Sequence, residues 1–160
     1  MSLPQKIDIE EEVDFEILDF HFSRYELEDG TMIRVTTLPS KVYRSSQFDS
    51  QGYPEYIVMS TQPIVTAMIN HDQRTNELKL TTENVSFNPQ SDPMDQLEYY
   101  SILERWNSYE LSDGSLLKCK TVVTGVSKAR EKRNNLGEPI YWVNTQLNIN
   151  IKANEKLRKR

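Results

Sequence analysis

One heptapeptide occurs twice in this chain. Tyr25-Glu26-Leu27-Glu28-Asp29-Gly30-Thr31 returns 84 residues later as Tyr109-Glu110-Leu111-Ser112-Asp113-Gly114-Ser115. Each copy runs on into a β-type stretch, a polar loop and then Gly-x-Pro-x-Tyr-x-Val, with Gly52, Pro54, Tyr56 and Val58 matched by Gly137, Pro139, Tyr141 and Val143. Aligning 25–44 with 109–128 gives 7 identities, and 52–69 with 137–154 gives 5 more. Average residue usage would give about two over both windows. The pattern implies an internal duplication. Two copies of domain-like size do not make a solenoid, which needs three or more short repeats.

Both copies read as β. Asp29-Gly30 and Asp113-Gly114 lie between alternating apolar runs, a hairpin signal, because glycine and to a lesser degree Asp tolerate the positive φ of tight turns. On the returning strands Ile33 and Val35 share a face with Leu117 and Cys119, which makes that face core. Arg34 and Thr36 share the other with Lys118 and Lys120, which makes it solvent. An aromatic residue three before each Tyr, Phe22 and Trp106, breaks the period of two. A β-bulge there would reverse the facing. Pro39 and Pro63 cannot donate to a ladder, so their strands are edges or bulge at those points.

The expected fold is therefore all-β: a duplicated antiparallel β-meander, its two copies packed as a barrel-like or sandwich pair with pseudo-two-fold symmetry. Residues 1–14 are expected to be an acidic arm, with Ile7 and Ile9 leaving room for a short edge strand. Repeat 1 spans 15–87 and includes further strands within Glu77 to Phe87. A Pro/Asn/Ser/Asp-rich linker covers 88–97, repeat 2 covers 98–153, and 154–160 is a basic tail.

The net charge of −5 hides an asymmetry. Residues 1–97 carry 7 Lys and Arg against 17 Asp and Glu, while 98–160 carry 12 against 7. The halves attract each other across an internal interface, or the second half offers a basic surface to an anionic partner, or the duplicated copies have simply drifted in charge. The candidate contacts are Lys118, Lys120, Lys128, Arg130, Lys132, Arg133, Lys156 and Arg158. Trp106 and Trp142 are available to stack on bases.

Chemistry-bearing motifs are scarce. The only two histidines, His21 and His71, lie in no motif, and Cys119 stands alone on the core face, so neither a metal site nor a nucleophile is indicated. Asp29, Asp113, Glu26 and Glu110 recur in both copies. They could form an acid/base dyad, although Asp before Gly is also turn chemistry. No cofactor is expected. No apolar run approaches the roughly 20 residues of a membrane helix, and one cysteine suits a cytoplasmic protein. The function reading is a non-catalytic binding or assembly module, more an interaction protein than an enzyme. Its alternatives are a nucleic-acid binder using the basic half and an enzyme with a site between the repeats. The edge strands of repeat 1 could also support a homo-oligomer.

Overall fold

The two Asp-Gly steps are hairpin tips. Leu27 N donates to Thr31 O at 2.8 Å and Gly30 N to Leu27 O at 2.9 Å; at the second tip Leu111 N donates to Ser115 O and Gly114 N to Leu111 O, both at 2.9 Å. Only the glycines take positive φ, +85° at Gly30 and +84° at Gly114, and no other residue type does so among those described. The aspartates before them keep negative φ. The loop is a three-residue turn closed by a left-handed glycine, and the aspartate side chain caps the N–H two residues on.

The structure, a computed structural model, describes residues 8–73 and 86–159. Twelve strands lie within these residues: β1 (Ile9–Val13), β2 (Phe15–Asp19), β3 (Ser23–Leu27), β4 (Met32–Thr36), β5 (Pro39–Phe48), β6 (Pro54–Ser60), β7 (Ile64–Met68), β8 (Met94–Leu97), β9 (Tyr99–Leu103), β10 (Asn107–Leu111), β11 (Leu116–Arg133) and β12 (Pro139–Lys152). Every pairing is antiparallel. The protein is all-β, in three open sheets ordered β1-β5-β6, β7-β4-β3-β9, and β12-β11-β10-β2 with β8 added to β11. The strands expected within 77–87 fall almost wholly outside the described residues. Among the described residues no helix is long and apolar enough to cross a membrane.

Several sequence features find their place here. The bulge expected between each aromatic residue and its Tyr is corrected. β3 and β10 alternate without a break, and the extra residue lies in the partner strand, Ile102 of β9 and Leu18 of β2. Phe22 and Trp106 stay on the outer side, beside Arg34 and Lys120. Pro39 opens β5, where the register slips before Lys41, and Pro63 stands just before the edge strand β7. The acidic stretch forms β1, an edge strand on β5, and the end of the 88–97 connector forms β8. Thr36, expected toward solvent, is buried: its hydroxyl donates to His21 O at 3.2 Å and accepts from Asn107 Nδ2 at 3.2 Å.

Buried residues fall into two clusters, and each draws on both halves of the chain. Val13 and Val42 pack with Tyr109, Leu111, Leu117 and Cys119. Tyr25, Leu27, Ile33 and Val35 pack with Val123 and Val126. The long β11–β12 hairpin serves both. Its inward residues on β11 are odd-numbered through Val123 and shift to Val126, because the register slips between Val123 and Gly125. On β12 odd positions reach the clusters, Leu147 and Ile151 the first and Tyr141 and Val143 the second, although Ile149 on the same side is exposed. The even positions therefore share the outer face.

The two central tyrosines are not equivalent. Tyr25 hydroxyl accepts from Val123 N at 3.0 Å and donates to Glu104 Oε1 at 2.8 Å. Eighty-four residues before Glu104 stands Phe20, and the residue aligned with Val123 is Pro39, which has no N–H. Tyr109 hydroxyl is correspondingly buried with no hydrogen-bond partner. Neighbouring Asn107 accepts from His21 N through Oδ1 and donates to Thr36 through Nδ2, and its amide is near enough to Tyr109 to oppose in part the upward push of burial on that phenol. Tyr109→Phe should leave stability within about 0.5 kcal/mol of the parent or raise it, whereas Tyr25→Phe strands a buried N–H and should cost about 1–3 kcal/mol. Urea denaturation of the two variants gives the comparison directly; equal losses would contradict the assignment.

Candidate functional site

The polar residues that recur in the sequence meet across the halves. Asp29 at the first tip accepts from Thr31 N through Oδ1 at 2.9 Å. Its Oδ2 accepts from Tyr141 hydroxyl at 2.5 Å and from Lys128 Nζ at 3.1 Å. Asp113 at the second tip repeats the arrangement with the halves reversed. Oδ1 accepts from Ser115 N at 2.9 Å, and Oδ2 from Tyr56 hydroxyl at 2.6 Å and Arg44 Nη1 at 3.3 Å. Each tip is also bound from its own half: Asn70 Nδ2 donates to Asp29 O at 2.8 Å, and Asn154 Nδ2 to Asp113 O at 3.0 Å. Arg44 is further paired with Glu11 of β1 at 2.7 Å.

These clasps explain why Gly-x-Pro-x-Tyr recurs. Pro54 and Pro139 open β6 and β12, and the tyrosine two residues on sits within reach of the opposite tip. Reading Tyr56 and Tyr141 as ordinary half-buried packing misses this role. Asn70 and Asn154 escape a sequence reading as well, because the spacing of the copies changes from 85 to 84 residues between Val58 and Ala67.

Electrostatics favour a charged carboxylate and a neutral phenol in each clasp. Burial would raise the pKa of Asp29, but hydrogen bonds from Tyr141, Thr31 and Lys128 outweigh it and hold the carboxyl below its ordinary range. Asp113 behaves alike, with Tyr56, Ser115 and Arg44 overcoming burial. Tyr56 is pushed up to about 12 by burial and its bond to Asp113, and Tyr141 is raised for the matching reasons. Acid and phenol move apart, away from the neutral range a general acid or base needs. Glu26 and Glu110, the other recurring carboxylates, are exposed.

Most of the candidate basic contacts are engaged within the chain. Arg130 Nη2 lies 2.7 Å from Asp95, and Lys132 Nζ 2.9 Å from Asp92. Arg133 donates to Gln73 O at 2.6 Å and to Gly137 O at 2.9 Å. Lys128 holds Asp29 and Gln73. The tail docks on the loop before β6: Lys159 N donates to Gly52 O at 2.7 Å, Arg158 Nε to Gln51 O at 2.9 Å, and the Arg158 guanidinium lies over Tyr53. Lys156 is exposed in the short 3-10 turn of that tail.

Lys118 and Lys120 differ. Both project from the outer face of β11, and Lys120 Nζ lies 4.9 Å from the centre of the Trp106 ring. The slip at Gly125 separates them from Lys128. Cys119 is buried in the first cluster, and burial pushes its thiol up to about 11. Among the described residues no group of three or more His, Cys, Asp or Glu is placed to hold a metal ion. Comparison with protein-family models, with curated proteins and with solved structures found no match.

Because each clasp carboxyl is held below its unfolded value, near 3.9, it stabilises the fold fully above that value. The contribution is lost as pH falls through the lower folded value. Asp29→Asn and Asp113→Asn should each cost about 1–3 kcal/mol at neutral pH and flatten the acid decline of stability below about pH 5. Urea midpoints measured across that pH range report both effects. An unchanged acid limb in both variants would remove the clasps from the stability of the fold.

Proposed function

We propose that the chain is an internally duplicated, non-catalytic binding or assembly module whose two copies have exchanged a strand. Pairing partners repeat at a constant interval in support of this. Ile17 pairs with Tyr109 while Ser101 pairs with Tyr25, and all four positions shift by 84 residues. Val13 pairs with Val42 as Leu97 pairs with Val126, again 84 apart. On this reading each copy begins before its heptapeptide, at β1 and at β8. β2 leaves its own copy to lie on β10, and β9 returns the exchange on β3, giving a pseudo-two-fold pair around two shared cores.

The observation that carries the function is where the recurring polar groups are spent. Asp29 and Asp113, Tyr56 and Tyr141, and Arg44 and Lys128 satisfy one another between the copies. A catalytic centre between the repeats would draw on these same groups and need them free to bind substrate or move a proton. The basic stretch of the second copy is spent within that copy and its connector, where Arg130 and Lys132 meet Asp95 and Asp92. Such a chain acts through its surface.

Residues 1–90 and 94–160 expressed separately should fail to give monomeric, well-dispersed NMR spectra, and mixing them should restore the spectrum of the intact chain. Two independently folded halves would refute the exchanged pair. Turnover of an ester or phosphoester by the intact chain, abolished in Asp29→Asn or Asp113→Asn while the variant stays folded, would refute the non-catalytic reading.

A further inference from the structure

We infer that the outer face of the β11–β12 hairpin binds single-stranded nucleic acid through Lys118, Lys120 and Lys152, with Trp106 and Trp142 as stacking surfaces. The inference rests on the reading of the chain as a binding module and names its ligand. Its starting point is the contrast among the cations. Lys128, Arg130, Lys132, Arg133 and Arg158 are held by partners within the chain. Among the described residues Lys118 and Lys152 have no side-chain hydrogen bond or ion pair, and Lys120 has only its approach to the Trp106 ring.

These three cations share one side of the sheet. Lys118 is directly opposite Asn150, Lys120 opposite Asn148, and Leu116 opposite Lys152. Alternation places all six side chains outward. Lys118 therefore has Lys120 two residues along its own strand and Lys152 on the cross-strand diagonal, each about 7–8 Å away or less at the Cβ atoms. Lys120 and Lys152 are about 13 Å apart along the ladder. Trp106 and Trp142 are 40% and 45% exposed on this same side. Trp142 lies six residues along β12 from Asn148, about 20 Å. Glu110, opposite Leu116, and Glu16 and Asp19 beyond it on β2 border the patch with negative charge, so an anionic polymer would track along β11 and β12.

The chemistry selects the occupant. Unpaired ammonium groups seek phosphates, and indole faces take unstacked bases. In a duplex the bases are stacked on each other and cannot reach the indoles. A neutral glycan would use the indoles and the amides of β12 but leave the lysines idle.

The test titrates the intact chain with an oligothymidylate of about ten nucleotides, a length within the usual range for one such site, read by tryptophan fluorescence at several salt concentrations. Three phosphate contacts on a single strand give a slope of log K against log salt of about −2. Lys118→Gln with Lys120→Gln should bring it to about −0.7. Trp142→Ala should weaken binding by about 5- to 150-fold with the slope unchanged. Arg130→Gln should change neither, and circular dichroism verifies that each variant is folded. The inference is overturned by absence of binding at low salt, by a slope indifferent to the lysine pair, by equal affinity for duplex, or by quenching with a neutral oligosaccharide in place of the oligonucleotide. Any of these leaves the module reading standing, whereas independently folded halves would remove that reading whatever the oligonucleotide does.

Discussion

A carboxylate withdrawn from water must be hydrogen-bonded, and the fold is arranged so that the two it withdraws are bonded by the opposite half. Asp29 and Asp113 have side chains only 8% and 9% exposed. The turn itself satisfies one oxygen of each, through the N–H two residues on. The second oxygen is left over by any hairpin of this type. Tyr141 with Lys128 and Tyr56 with Arg44 supply what is missing. Neither tip is complete in its own half, so the local chemistry of a turn becomes a requirement for long-range assembly.

The apolar clusters impose the same dependence by a different force. Val13 and Val42 would be a small exposed patch without Tyr109, Leu111, Leu117 and Cys119; truncating one of the large members would cost about 2–5 kcal/mol. The second cluster inverts the contribution, with most residues from the first half and Val123 and Val126 from the second. One hairpin can feed both because the register slip at Gly125 turns the facing of β11 without breaking the ladder to β12. A side chain at 125 would meet Asn144 at ordinary contact distance, so backbone pairing rather than crowding marks this position.

Much of the fold was legible because its signals are local. The hairpin tips follow from Asp-Gly between alternating runs, and the inward faces of β4 and β11 follow from a period of two. Phe22 and Trp106 misled because an aromatic residue reads as inward, whereas each lies on the outer side beside a cation and the bulges belong to the partner strands β9 and β2. What was not legible depends on the partner. No property of Tyr56 says that its hydroxyl ends on a carboxylate 57 residues away. Nothing in Thr36 says that Asn107 will bury it. An acidic stretch reads as a solvated arm until Arg44, 14% exposed, is seen drawing Glu10 and Glu11 onto β5.

The candidate site shows the same limit from the other side. Counting charge along the chain assigns one weight to every Lys and Arg between 118 and 133, although burial and pairing divide them sharply. The salt links of Arg130 and Lys132 are exposed and contribute little to stability, yet they occupy cations that would otherwise attract a polyanion. Lys118 and Lys120 escape because β12, their cross-strand neighbour, presents amides there: Asn150 and Asn148 lie directly opposite, with Gln146 bonding Asn148 in turn. In the first half the position matching Lys118 is Arg34, opposite Thr66 and bonded to it, with its guanidinium over Phe22. Both halves thus place a cation and an aromatic ring on the outer face. The second half has two lysines and an exposed indole where the first has one arginine and a half-buried phenyl ring. If the copies descend from one unit, the clasp aspartates and tyrosines have held, while divergence has reached both the outer surface and the interior, where Pro39 stands for Val123 and buried Thr36 for Lys120.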